Sequence, residues 1–159
     1  MDNKIYNVLG IFVTVSKLSS IDNSTIEKIK NLKSVLDVGL ALISCRVIIS
    51  EHALLSLVYN IASAHKYGYN KLRKLDSELI LVLAGKNVFH EAVDKITPKA
   101  GDCTLIVLLS DDKSKIQKAE SFIRTNLSSE LEEANLKTSF SLNDLGLIEK
   151  FALFYVWYK

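Results

Sequence analysis

Glu78-Leu79-Ile80-Leu81-Val82-Leu83-Ala84-Gly85-Lys86-Asn87-Val88-Phe89-His90-Glu91-Ala92-Val93-Asp94-Lys95-Ile96 is the stretch on which the fold of this chain turns. Leu79–Ala84 has no polar alternation. An apolar run of that length closed by a glycine reads as a strand buried on both faces, which requires helices on both sides of it. Gly85 ends the run, Asn87 is placed to cap a short helix, and Phe89, Ala92, Val93 and Ile96 share one face of that helix. Pro98 and Gly101 then turn the chain, and Thr104–Leu109 repeats the pattern as a further fully apolar strand.

Working back toward the start, Glu51–Tyr67 reads as a helix. Ser50 is its cap, Leu54, Leu55, Val58, Ile61 and Ala62 form its stripe, Ala64 widens that stripe, and Gly68 lies just past its end. Leu42–Ile49 is a preceding strand. Before it, Ser24-Thr25-Ile26-Glu27 has the form of a capping box that opens a helix carrying Ile26, Ile29, Leu32 and Leu36. Ile5–Val15, rich in Ile, Val and Phe, reads as the first strand. Toward the end, Ser110 or Asp111 caps a helix with Ile116, Ala119, Phe122 and Ile123. An acidic connection with Glu130, Glu132 and Glu133 follows. Ser141–Tyr158 is the last helix, with Leu145, Ile148, Phe151, Phe154 and Tyr155 on its apolar side. Alternation of strands and helices predicts an α/β fold. The expected architecture is one layered domain over residues 1–159, with helices packed on a mixed, mostly buried β-sheet, and no repeat or linker interrupts it.

Composition agrees with a packed core: 48% of the 159 residues are apolar and 24% charged, and the net charge of +2 neither demands nor excludes nucleic acid. Cys45 and Cys103 each lie in aliphatic surroundings and are expected to be free core hydrophobes, which places the protein in a reducing, cytoplasmic compartment. Lys4 and Asn7 interrupt the start, so no secretory leader is expected. Asp37 and Arg46 interrupt Val35–Ile49, which is also too short to span a bilayer, so no membrane partner is expected.

Chemistry-bearing motifs are sparse. The sequence has no phosphate-binding P-loop, no dinucleotide fingerprint, no paired metal ligands and no nucleophile elbow, so neither catalysis nor a cofactor or metal is expected. His52, His65 and His90 have no sequence-adjacent ligand partner and read as surface or half-buried imidazoles. Lys66-Tyr67-Gly68-Tyr69-Asn70-Lys71-Leu72-Arg73-Lys74 gathers four cations and two tyrosines within nine positions. Cations bind phosphates and tyrosine faces stack on unpaired bases, although a solvated helix end has the same composition. In Gly85-Lys86-Asn87-Val88, free backbone N–H groups beside a lysine and an amide suit a phosphate or a base edge, although a plain glycine turn reads the same way. Phe151–Tyr158 is too apolar to be solvated all round, so it supplies core, a protein contact, or both.

Two stretches, Ile49-Ser50-Glu51-His52-Ala53-Leu54-Leu55 and Ser77–Ala92, together with the Leu105–Leu109 strand and the terminal helix, resemble the small tRNA-binding subunit of the KEOPS complex. That is the PRPK-binding protein, or TPRKB, family, and this chain is similar to an archaeal-type member. The resemblance covers roughly residues 40–158 and is strongest over 49–93. The family's arginine–glutamine pair is Lys86-Asn87 here, which keeps charge and amide but loses the guanidinium fork. The resemblance implies a non-enzymatic accessory subunit that binds the N-lobe of the KEOPS kinase/ATPase subunit and holds the single-stranded 3′ CCA end of tRNA. Such a subunit supports threonylcarbamoylation of the adenosine next to the anticodon. The expected RNA contacts are Lys86, Asn87 and Val88, where the family's pair falls, and next the cationic cluster with Lys66, Lys71, Arg73 and Lys74. For the kinase, the expected contacts are exposed apolar positions of the Glu51–Tyr67 and terminal helices: Leu54, Val58, Phe154 and Trp157. Two alternatives stay open: a small-ligand or anion-binding protein or enzyme using the Gly85–His90 loop, and a plain scaffold without RNA.

Overall fold

A computed structural model describes residues 3–47, 50–127, 131–134 and 136–158. Apolar side chains alternate along its central strand and divide the molecule into three layers. In β4 (Thr104–Ser110), Leu105, Val107 and Leu109 face one core, while Ile106 and Leu108 face another. The first core is built with α2 (Glu51–Tyr67), α3 (Leu75–Ala84), α4 (Phe89–Ile96) and α6 (Leu142–Trp157), and the second with α1 (Asn23–Val35) and α5 (Lys113–Leu127). Helices therefore cover both sides of β4, as its unbroken apolar run requires.

The layered α/β architecture is the expected one. Its strands are β1 (Tyr6–Val8), β2 (Ile11–Leu18), β3 (Gly39–Ser44), β4 and β5 (Leu131–Glu133), and every described pairing is antiparallel, where parallel pairs were also expected. The order is β1-β2-β4-β3, with β5 also on β2. Register places Val15 and Ala41 on either side of Val107, and Val13 beside Leu109.

Several local expectations are corrected. Leu79–Ala84 is not a strand but most of α3. A helix apolar on all sides is one buried on all sides, and a run of six residues does not separate that case from a strand. Asp76 and Glu78 in its first turn and Gly85 past its end, with φ +64°, are helix signals. Ile5–Val15 is a hairpin, not one strand, because Leu9 and Gly10 both take positive φ and form its two-residue turn. Asp22, not Ser24, caps α1 by accepting from Thr25 N at 2.7 Å. Val88, not Asn87, precedes α4, with no side-chain cap bond. At the start of α5, Asp112 rather than Ser110 or Asp111 accepts from Ser114 N. Leu145 is exposed, not on the packed side of α6. Strand β3 ends at Ser44, and Ile48, Ile49 and Glu130 lie outside the described residues. Cys45 and Cys103 are joined in a disulfide, not free, because the antiparallel register that pairs Ser44 with Thr104 brings the next positions together.

Other expectations hold. Ser50 caps α2 by accepting from Ala53 N, Gly68 closes that helix at φ +77°, and Gly101 turns at φ +89°. The last helix is present as α6, and its start carries a reciprocal capping box of Ser141 and Asp144 that was not among the expectations.

Candidate functional site

Helix α3 places the two cation-bearing segments. Lys74 immediately precedes its first residue and Gly85 immediately follows its last. Ten helical residues set these ends about 15 Å apart. The helix between them is buried, so the two segments emerge from the fold as its exposed ends.

At the first end, α2 stops at Gly68, and Tyr69 N returns to Ala64 O. The chain then crosses to α3 through Asn70–Lys74, where Asn70 Nδ2 donates to Leu72 O at 2.9 Å. Glu78, fully buried in the first turn of α3, holds this crossing. Lys71 N donates to its Oε1 at 2.9 Å, and Leu72 N donates to its Oε2 at 2.7 Å. Tyr155 of α6 donates its phenol proton to Oε1 at 2.6 Å. Burial and the neighbouring Glu78 carboxylate push the Tyr155 phenol far above its ordinary range, so it stays a protonated donor. The Tyr155 ring meets Tyr69 edge-on at 5.1 Å. Lys66, Lys71, Arg73 and Lys74 are all exposed, and none makes an ion pair among the described residues. Tyr67 and Tyr69 stand exposed among them.

At the other end, Gly85 N and Lys86 N close α3 onto Val82 O and Leu81 O. Lys95 of α4 donates to Ala84 O at 2.8 Å, and Tyr158, which immediately follows α6, donates to Gly85 O at 3.2 Å. Asn87 and Val88 are exposed, and Lys86 is half-buried. No side chain caps α4, whose first turn follows Lys86, Asn87 and Val88 directly and leaves backbone N–H groups without an intrahelical partner.

The two sequence-predicted cation segments thus lie at opposite ends of one helix, and the last turns of α6 touch both. Sequence reasoning missed the residues that bind them there: Glu78, Tyr155, Tyr158 and Lys95. For Glu78 the available signal was its place with Asp76 directly before the apolar run 79–84, where a first helical turn favours carboxylates.

The apolar positions expected at a protein interface divide sharply. Leu54, Val58 and Phe154 are at most 1% exposed and belong to the core between sheet and helices, so the structure removes them from the surface. Trp157 remains 60% exposed, with Val156 beside it and Tyr59 exposed on α2. The histidines are ordinary. His52 Nε2 lies 3.0 Å from Thr138 O, His90 is exposed, and the Nε2 of half-buried His65 has no partner among the described residues. The described residues contain no cluster of acidic, histidine or cysteine side chains able to hold a metal. Among the described residues, no helix is long and apolar enough to cross a membrane.

These features define a three-layered α/β protein whose candidate site is an open, cation-bearing surface built at the ends of a buried helix. Residues 12–151 match the family of the kinase binding protein CGI-121, and the chain belongs to that family. No curated protein matches it.

Proposed function

We propose that this protein is a non-catalytic accessory subunit that docks on a kinase-like ATPase of a KEOPS-type complex. In this reading it presents the single-stranded 3′ CCA end of tRNA for threonylcarbamoylation of the adenosine next to the anticodon. The family match over residues 12–151 is the observation that carries this reading, since that family is described by its binding of a kinase. The surface at the ends of α3 supports the RNA half. Four exposed cations that make no ion pair among the described residues suit phosphates, exposed Tyr67 and Tyr69 offer faces for unpaired bases, and the start of α4, which has no side-chain cap, offers N–H donors. Trp157, with Val156 and Tyr59, is the apolar surface offered to the kinase.

The test compares binding of tRNA with and without its CCA end. Loss of the end weakens binding about ten-fold or more if bases stack on this surface. Equal affinity for the two removes the RNA-end assignment. Lys86→Ala is expected to weaken binding about three- to ten-fold through one lost phosphate or base contact, and normal binding by this variant points to a plain scaffold. Co-purification with the kinase-like subunit, reduced by Trp157→Ala, tests the other half.

A further inference from the structure

We infer that Glu78 is the positioning residue of the basic turn: its buried carboxylate clasps the Lys71 and Leu72 amides and the Tyr155 hydroxyl, so that the turn and the Gly85–Val88 loop face one ligand as a single surface. This rests on the reading of that surface as the place where RNA is held.

The geometry is specific. Both carboxylate oxygens are used. Oε1 accepts from Lys71 N at 2.9 Å and from the Tyr155 hydroxyl at 2.6 Å, and Oε2 accepts from Leu72 N at 2.7 Å. A buried carboxylate is costly unless it is fully hydrogen-bonded, and here the donors come from the segment that carries the cations and from α6. Tyr158, the residue just past the end of α6, donates to Gly85 O at 3.2 Å. One helix therefore fixes the basic turn through Glu78 and the far loop through Gly85, and α3 sets the spacing between them. Lys71 is itself clasped through its amide, and Arg73 and Lys74 follow directly. Their side chains remain exposed, so the clasp orders the backbone and leaves the charges available. A glutamine at this position keeps one acceptor oxygen and turns an NH2 group toward donors, so one end of the clasp opens without a change of size.

Two measurements on the intact chain decide the matter: hydrogen exchange of the Lys71 and Leu72 amides, and binding of a single-stranded RNA ending in CCA over a series of salt concentrations. They compare the unsubstituted protein with Glu78→Gln and Tyr155→Phe. In Glu78→Gln, exchange at one or both amides is expected to rise about ten-fold or more and RNA affinity to fall about ten-fold, the worth of one charge-assisted hydrogen bond. The slope of log K against log salt becomes shallower by about 1 to 3 as the turn's cations leave the phosphates. Tyr155→Phe shows the same changes at smaller size, and it carries the test if Glu78→Gln does not fold. Unchanged exchange in these variants overturns the inference. So does faster exchange with unaltered affinity and salt slope, which marks a residue that only stabilises the fold. If the unsubstituted protein does not bind the RNA, the reading of the surface fails, and the exchange comparison alone decides whether Glu78 positions the turn.

Discussion

Ser50 serves two helices with one hydroxyl. It caps α2 through Ala53 N, and it stands beside Asp144, the capping-box carboxylate of α6. The Ser50 hydroxyl first, and then Ser141, hold the Asp144 carboxyl below the usual carboxylate range. Thr25 does the same for Asp22, and Ser114 for Asp112. A carboxyl lowered in the folded state contributes stability that is present above its unfolded value, about 3.9, and is lost as pH falls through the lowered one. The thermal midpoint is therefore expected to decline between about pH 5 and pH 3. Converting Asp22, Asp112 and Asp144 together to asparagine should flatten that decline, and melting curves across this range would show it. Ser50→Ala should cost about 1–2 kcal/mol in a urea titration. Thr14 offers the opposite case: its hydroxyl is buried without a partner among the described residues, so Thr14→Val should gain about 1 kcal/mol. A loss of stability there would mean the hydroxyl has an unseen partner. At this scale the sequence was readable where one capping residue stood alone, as at Ser50. It misled at Asp22-Asn23-Ser24, where three good caps are adjacent and local preference cannot choose between them.

Elements were legible when their period was unambiguous. Residues 51–67 and 104–109 show their type in the sequence, because a long amphipathic stripe and a β-branched run each have one reading. Residues 79–84 do not, because a helix surrounded by α2, α4, α6 and β3 loses the polar face that would reveal its period. The same burial concealed the clasp, since Glu78 reads as the polar boundary of a strand until the helix turns it toward Lys71 and Tyr155. The disulfide was hidden for another reason. Cys45 and Cys103 are 58 residues apart, and only the pairing of β3 with β4 shows that they are neighbours. Joining positions so distant removes much freedom from the unfolded chain. Cys45→Ser, or reduction of the parent, should therefore lower stability by about 2–4 kcal/mol in urea titrations run with and without a thiol reductant. An unchanged midpoint on reduction would show that the bond constrains nothing the fold does not already hold.

Over the whole molecule, the predicted RNA segments and the exposed end of α6 all belong to the layer formed by α2, α3, α4 and α6, while α1 and α5 form the opposite one. Function is thus expected to be one-sided. Lys71→Glu should weaken tRNA binding about ten-fold or more, whereas Lys118→Glu, exposed on α5, should leave it within about two-fold. Equal losses would mean that binding follows net charge alone. The alternation of elements made the layered class legible, but not the order of strands, because β4 enters between β2 and β3 from sixty residues away. The outer edge of β2 is shared: β1 lies against Ile11–Val13, and β5 against Ser16–Leu18. The first cover arrives across a two-residue turn, and the second more than a hundred residues later. On a ribosome, the second half of β2 therefore emerges long before its neighbour exists, and a nascent chain stalled ahead of Leu131 carries a bare strand edge open to other chains.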